Sequence, residues 1–119
     1  MNVAVIGASD NPERYSYKAV KLLTQKGHQV FPVHRRIKSI DGEPVYEYIG
    51  DIKEPVDTVT LYVGADISSQ LADEILAKKP SRIIFNPGAE NPELMNKAAG
   101  AGVKTVNACT LVMLNTSQF

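Results

Sequence analysis

Gly7, Ser9 and Arg14 fall within eight residues, directly behind the apolar run Val3 to Ile6. Together they can hold an anion. Glycine lets a backbone approach a phosphate closely, a serine hydroxyl can donate a hydrogen bond, and the exposed N–H groups of a helix start favour negative charge. Arg14 adds a fixed positive charge. A full dinucleotide-binding turn carries two further glycines, and here those places hold Ser9 and Pro12. Taken alone, the segment is equally a strand-ending glycine, a turn built by Asp10-Asn11-Pro12 and a surface arginine.

A second group supplies context. An NAD site normally has an acidic residue at the end of the second strand, where it binds the ribose hydroxyls. Here Val30-Phe31-Pro32-Val33 is followed by His34, Arg35 and Arg36, with Lys38 close behind. Guanidinium groups in place of a carboxylate suit a phosphorylated ribose, as in NADP or the 3′-phospho-ADP portion of coenzyme A, and disfavour plain NAD. A solvated basic loop is the plain alternative.

No residue set adds up to a catalytic centre. Cys109 could act as a nucleophile with His28 or His34 as base, but its place after the fifth apolar run and that of His28 before the second separate them along the sheet. A buried, inert thiol is the better reading. The histidines and the cysteine lack metal-ligand spacing, and Asp66 and Glu90 are explained as helix-start carboxylates. Tyr15, Tyr17, Tyr46, Tyr48 and Tyr62 do not alternate with a basic stripe, which argues against stacking on single-stranded nucleic acid.

The elements that position these residues are legible in five short apolar runs: Val3 to Ile6, Val30 to Val33, Thr58 to Val63, Arg82 to Phe85 and Lys104 to Val106. Their nearly continuous apolar character suits strands covered on both faces. Between them, Ala19, Val20, Leu22 and Leu23 mark a helix ending near Lys26 and Gly27. Ile67, Leu71, Ile75 and Leu76 mark the inner face of a second, with Pro80 beyond its end. Asn91 and Pro92 read as cap and first residue of a third, with Leu94, Met95 and Ala98 inside and Gly100 and Gly102 at its end. Residues 35–56 interrupt the alternation, with a tight turn at Asp41-Gly42, Pro44 excluding a central strand, and a short helix expected over Tyr46 to Ile49. The tail from Ala108 to Phe119 fits either a short helix or an edge strand. The expected fold is α/β, one doubly wound, Rossmann-like parallel sheet of about five strands with helices on both faces.

The chain of 119 residues fits one domain, 1–119. Its 13 basic and 13 acidic side chains cancel and 44% of residues are hydrophobic, which argues against disorder and against a general nucleic-acid surface. One cysteine, no charged leader and no membrane-length apolar run point to a cytoplasmic protein without a membrane partner.

The chain resembles the CoA-binding domain family, small proteins similar to the N-terminal domain of the succinyl-CoA synthetase α chain. The resemblance spans nearly the whole sequence. It rests on Val5-Ile6-Gly7-Ala8-Ser9, Asn11-Pro12, Arg14-Tyr15-Ser16, Gly27-His28-Gln29 with Val30 to Val33, Ile40-Asp41-Gly42, Asp57-Thr58-Val59, Pro87-Gly88-Ala89-Glu90 and Ala108-Cys109, in order and spacing. It implies that Gly7, Ala8, Ser9 and Arg14 face the diphosphate of coenzyme A or an acyl-CoA, with Tyr15 and Ser16 as further contacts. Pro32 and Val33 would flank the adenine, Arg35 and Arg36 would meet the 3′-phosphate, Val63 and Gly64 would line the opposite wall, and Gly88 would let the pantetheine arm pass. Family members commonly have Asn-Pro-Lys where this chain has His34-Arg35-Arg36, and guanidinium and ammonium groups differ in geometry. In the full synthetase α chain a phosphorylated histidine lies in a second domain, so the resemblance implies a binding or regulatory role without ligase chemistry. The rival readings are an NADP-dependent oxidoreductase and a ligand-free scaffold. The scaffold would meet a protein partner, or itself as a homo-oligomer, through an apolar face around Leu111 to Leu114.

Overall fold

The β-branched runs form strands and the amphipathic stretches between them form helices in a computed structural model that describes residues 1–119. In chain order these are β1 (Asn2–Ile6), α1 (Tyr15–Gln25), β2 (Gln29–Val33), a small hairpin of β3 (Ser39–Ile40) and β4 (Glu43–Pro44), a single 3₁₀ turn (Ile49–Asp51), β5 (Thr58–Leu61), α2 (Ala65–Ala77), β6 (Arg82–Phe85), α3 (Pro92–Gly100), β7 (Lys104–Asn107) and α4 (Thr110–Asn115). Five strands pair in parallel in the order β2-β1-β5-β6-β7. The chain moves outward from β1 to β2 and then returns across β1 to β5. Strand order therefore reverses beside β1, and the carboxyl ends of β1 and β5 (Ile6 opposite Leu61) flank the crevice where such sheets bind ligands.

Alternate residues of each strand point to opposite faces, and both faces are covered. Ala4, Ile6, Val59, Leu61, Ile83 and Phe85 pack toward α2 and α3, joined by Ile75, Leu94 and Ala98, in the larger core cluster. Val3 and Val5 pack toward α1 and α4 with Val20, Leu23 and Leu114. Double coverage is why these strands read as continuous apolar runs rather than alternating ones. Asn91 caps α3 as its sequence suggests: its Oδ1 accepts from the Leu94 N–H at 3.1 Å, while its Nδ2 donates to the hydroxyls of Ser68 and Ser69, tying the starts of α2 and α3 together. The Asp41-Gly42 turn has both residues at positive φ (49° and 85°). Asp41 is held to α1 by Lys21 and by the Tyr17 hydroxyl, both at 2.5 Å, and the lysine, then the phenol, draw its carboxyl below the usual range.

Three local expectations are corrected, and the open one for the tail is decided. The third main strand stops at Leu61 rather than Val63. The Tyr62 N–H still bonds to the Ile6 carbonyl at 2.9 Å, but β1 turns away at Gly7 and leaves residue 63 without a ladder partner. The helix expected over Tyr46 to Ile49 is a one-turn 3₁₀ segment starting at Ile49. Tyr46 instead bridges to the outer edge of β2, giving its N–H to the Pro32 carbonyl and accepting from the His34 N–H, each at 2.9 Å, which satisfies an otherwise open strand edge. Ile67 lies not on the inner face of α2 but exposed, because the first turn of that helix overhangs the end of the sheet. The tail forms a helix, α4, packed on α1 through Leu114 while Val112 stays exposed.

Candidate functional site

The end of β1 must turn sharply away from its neighbours, and only glycine permits it here. Gly7 has φ +86°, and a Cβ at this position would lie 2.8 Å from Val63 Cγ1 and 3.2 Å from the Tyr62 carbonyl group. Its N–H and that of Ala8 both point to the Val33 carbonyl, at 3.0 and 3.3 Å. This link brings the loop after β1 against the loop after β2, so the two groups singled out in the sequence become neighbours.

Two recesses open side by side at these strand ends and share Gly7, His34, Val63 and Ile67. The smaller, about 250 Å³, is mostly apolar. Ile6 and Val33 come from the sheet, Tyr48 and Ile49 from the segment around the 3₁₀ turn and Leu71 from α2, with Arg35, Arg36, Glu47 and Glu74 adding charge. The larger, about 550 Å³, is lined by Ala8, Ser9, Arg14, Tyr15 and Ser16 on one side and by Tyr62, Gly64 and Pro87 on the other, with Ile37 beside them.

The larger recess gathers hydrogen-bond donors and one cation. Ser9 Oγ accepts the Asn11 N–H at 3.0 Å and Asn11 Oδ1 accepts the Glu13 N–H at 3.0 Å, so the loop is a chain of side-chain-closed turns, and the Ser9 proton is left to donate outward. Arg14 and Gly64 stand at the N-cap positions of α1 and α2 and neither provides a side-chain cap. Two helix starts, each carrying the equivalent of roughly half a positive charge, thus meet the same recess with uncapped first turns.

In the loop after β2, His34 Nδ1 accepts the N–H groups of Arg36 and Ile37, each at 3.0 Å, which curls the backbone and leaves Nε2 to carry the ring proton. The Arg35 guanidinium lies 5.9 Å from the centre of the Tyr48 ring. Neither arginine has a carboxylate partner, since the ion pair of this chain is Lys21–Asp41. Cys109 precedes α4 at the carboxyl ends of the strands, whereas His28 precedes β2 at the amino ends, where its Nδ1 lies 3.2 Å from the Met1 amino group.

Of the residues singled out in the sequence, Gly7, Ala8, Ser9, Arg14, Tyr15, Ser16, Val63 and Gly64 line the larger recess, and Val33, Arg35 and Arg36 the smaller. Pro32 is buried inside β2 and lines neither; Gly88 is exposed in the turn after β6, its N–H bonded to Glu90 Oε1 at 2.9 Å, and also lines neither. Among the lining residues that sequence reasoning missed are His34, Tyr48, Ile49, Ile67, Leu71, Glu74 and Tyr62. The spacing of Ile67, Leu71 and Glu74 at one helix face was visible; what that face looks onto was not.

Tyr62 carries a buried hydroxyl without a hydrogen-bond partner. Burial pushes its phenol up to about 12 from the ordinary 10.0, with the neighbouring Thr110 and Thr60 hydroxyls pulling the other way. Below the unfolded value both states are protonated and stability is complete; from there to about 12 the unfolded chain ionises while the folded one resists, so stability is lost as pH rises through this window. Tyr62→Phe is expected to leave neutral-pH stability unchanged or raise it by up to about 1 kcal/mol, because it removes an unsatisfied polar atom, and to reduce the alkaline loss. Thermal melts at neutral and alkaline pH check this; a loss above about 1 kcal/mol at neutral pH would reveal a working hydrogen bond.

A family model described as CoA binding domain matches residues 1–115. The chain is 34% identical over 125 residues to the alpha subunit of acetate–CoA ligase [ADP-forming] II of Pyrococcus furiosus, covering 96% of this chain and 27% of that one. It is 28% identical over 74 residues to the uncharacterised protein YneT of Bacillus subtilis, covering 62% of this chain and 55% of that one. The chain thus matches about half the length of one curated relative and about a quarter of the other. A solved hypothetical protein from Pyrococcus horikoshii superposes with a TM-score of 0.91 at 27% identity, over 96% of this chain and 81% of that one.

Proposed function

This chain belongs to the CoA-binding domain family, and from that premise we propose that it is a small cytoplasmic protein that binds coenzyme A or an acyl-CoA and acts by holding it, without ligase chemistry of its own. The observation that carries the reading is the pair Arg35 and Arg36, without carboxylate partners, lining one recess while two uncapped helix starts face the other across Gly7. In this arrangement the base lies in the apolar recess against Val33 and Ile49, and the arginines take the 3′-phosphate. Ser9, Arg14 and the first N–H groups of α1 take the diphosphate. Gly7 supports the arrangement as well, since its missing side chain lets β1 end in a sharp turn at the wall the two recesses share, where a Cβ would meet Val63. The pantetheine arm leaves past Val63 and Gly64 toward the turn of Gly88. A holding role is supported by the engagement of His34 Nδ1, which two backbone N–H groups occupy.

Calorimetric titration tests the reading. A hydrogen bond to a charged group contributes roughly 1.5–3 kcal/mol, and about 1.4 kcal/mol is one decade of affinity. CoA is therefore expected to bind about ten- to a hundredfold tighter than dephospho-CoA. Arg35→Ala combined with Arg36→Ala should bring the two to the same affinity. Equal binding of both by the unaltered protein, or tight NADPH binding with no response to CoA, would overturn the assignment.

A further inference from the structure

The polar groups of the smaller recess come from separate elements. The loop after β2 offers only donors: the two guanidinium groups of Arg35 and Arg36, and the His34 ring, whose Nδ1 is filled by two backbone N–H groups. Across the apolar floor stands Glu74 on α2, half-buried and one turn beyond Leu71. Nothing neutralises it. Lys78, four residues on, is the natural partner on a helix surface, but its ammonium is drawn away to the Ile52 carbonyl. No ion pair forms across the recess either. A flat ring lying on Ile6, Val33, Ile49 and Leu71 would present one edge to the donors and the other to the α2 carboxylate, the less exposed of the two in the recess.

We propose that Glu74 is the specificity carboxylate of this recess, accepting a hydrogen bond from the exocyclic amine of a 6-aminopurine and rejecting a 6-oxopurine. The inference rests on the CoA-binding reading and adds to it a base-reading residue. A 6-oxo group offers lone pairs where the amine offers N–H, so it sets acceptor against acceptor at Glu74. A half-buried carboxylate facing such a group loses its partner and repels it. Glu47, also charged but exposed at the mouth, has water as its partner in either case.

The test compares CoA with its deaminated analogue, in which hypoxanthine replaces adenine, by calorimetric titration of the full chain. The unaltered protein should prefer CoA by about tenfold or more, one charge-assisted hydrogen bond's worth. Glu74→Gln keeps the shape of the side chain and supplies both a donor and an acceptor, so the preference should shrink to within about twofold, with the analogue gaining affinity. Thermal melts confirm that the variant is folded. Asp73→Asn, the exposed neighbour on α2 that lines neither recess, should keep the full preference. An unchanged preference in Glu74→Gln, or its loss in Asp73→Asn instead, overturns the role of Glu74 while leaving CoA binding intact. Failure of the unaltered protein to bind CoA at all overturns this proposal and the function reading together.

Discussion

An alanine at position 7 is expected to destabilise the protein by about 2–5 kcal/mol and to abolish measurable CoA binding. Two independent penalties add. The backbone at Gly7 has φ +86°, where an L side chain is strained by about 1–2 kcal/mol. The new methyl would also sit 2.8 Å from Val63 Cγ1 and 3.2 Å from the Tyr62 carbonyl carbon and oxygen. Val63 can turn away but the Tyr62 backbone cannot, so a further 1–3 kcal/mol is expected, roughly, from overpacking. A domain of this size is stable by only about 5–15 kcal/mol, so the loss is readable as a lowered midpoint in urea with little change of slope. Binding suffers separately, because any relaxation widens the gap between the loops after β1 and β2 that the Val33 carbonyl holds together. A variant that loses less than about 1 kcal/mol and still binds CoA would show that this turn is not strained.

Asn86→Ala should be the other large effect, about 3–5 kcal/mol, although Asn86 touches neither recess. Its amide is 2% exposed and fully used. Nδ2 donates to Thr60 Oγ1 at 2.7 Å and to the Leu61 carbonyl at 2.8 Å, while Oδ1 accepts the Thr110 N–H at 2.9 Å. Thr60 and Thr110 close the network with a hydroxyl pair at 2.7 Å. Alanine would orphan the buried Thr110 N–H, at about 1–3 kcal/mol before relaxation, and would leave the Leu61 carbonyl with only the 3.3 Å bond from the backbone N–H of residue 86 and the Thr60 hydroxyl with only Thr110. The network joins the ends of β5 and β6 to the first residue of α4, so the melting temperature should fall by about 4 °C per kcal/mol lost. Hydrogen exchange should show α4 loosened first. Asn86→Asp, which keeps the Thr110 acceptor but loses the donors, should fall between the two; equal stability of all three would mean that packing, not the polar network, seats the helix.

That Gly7, Ser9, Arg14, Arg35 and Arg36 gather at the strand ends was legible because it depends on residue type and on position just after a strand, both local properties. The same holds for the caps at Gly27 and Asn91 and for the Asp41-Gly42 turn, where one or two residues decide the geometry. Tyr48, Ile49 and Tyr62 gave no such signal. Tyr46 shows why: it takes an extended conformation because the edge of β2 needs a partner, a demand that arises only once the sheet exists. Ile67 shows the same in reverse, since helical periodicity names the residues that share a face with it but not whether a sheet lies beneath them.

The alternation of strand and helix, the doubly covered sheet and the sign of the charge at each strand end were determined by the amino-acid sequence, through short-range sterics and apolar periodicity. Strand order was decided only in the tertiary structure. Pairing β1 with both β2 and β5 joins residues such as Ile6, Val33 and Leu61 that lie far apart in the chain. That choice minimises exposed apolar surface over the whole sheet at once, a sum no local segment contains. It is what brings Glu74 and Arg35 to the lining of one recess and sets the loops after β1 and β2 side by side.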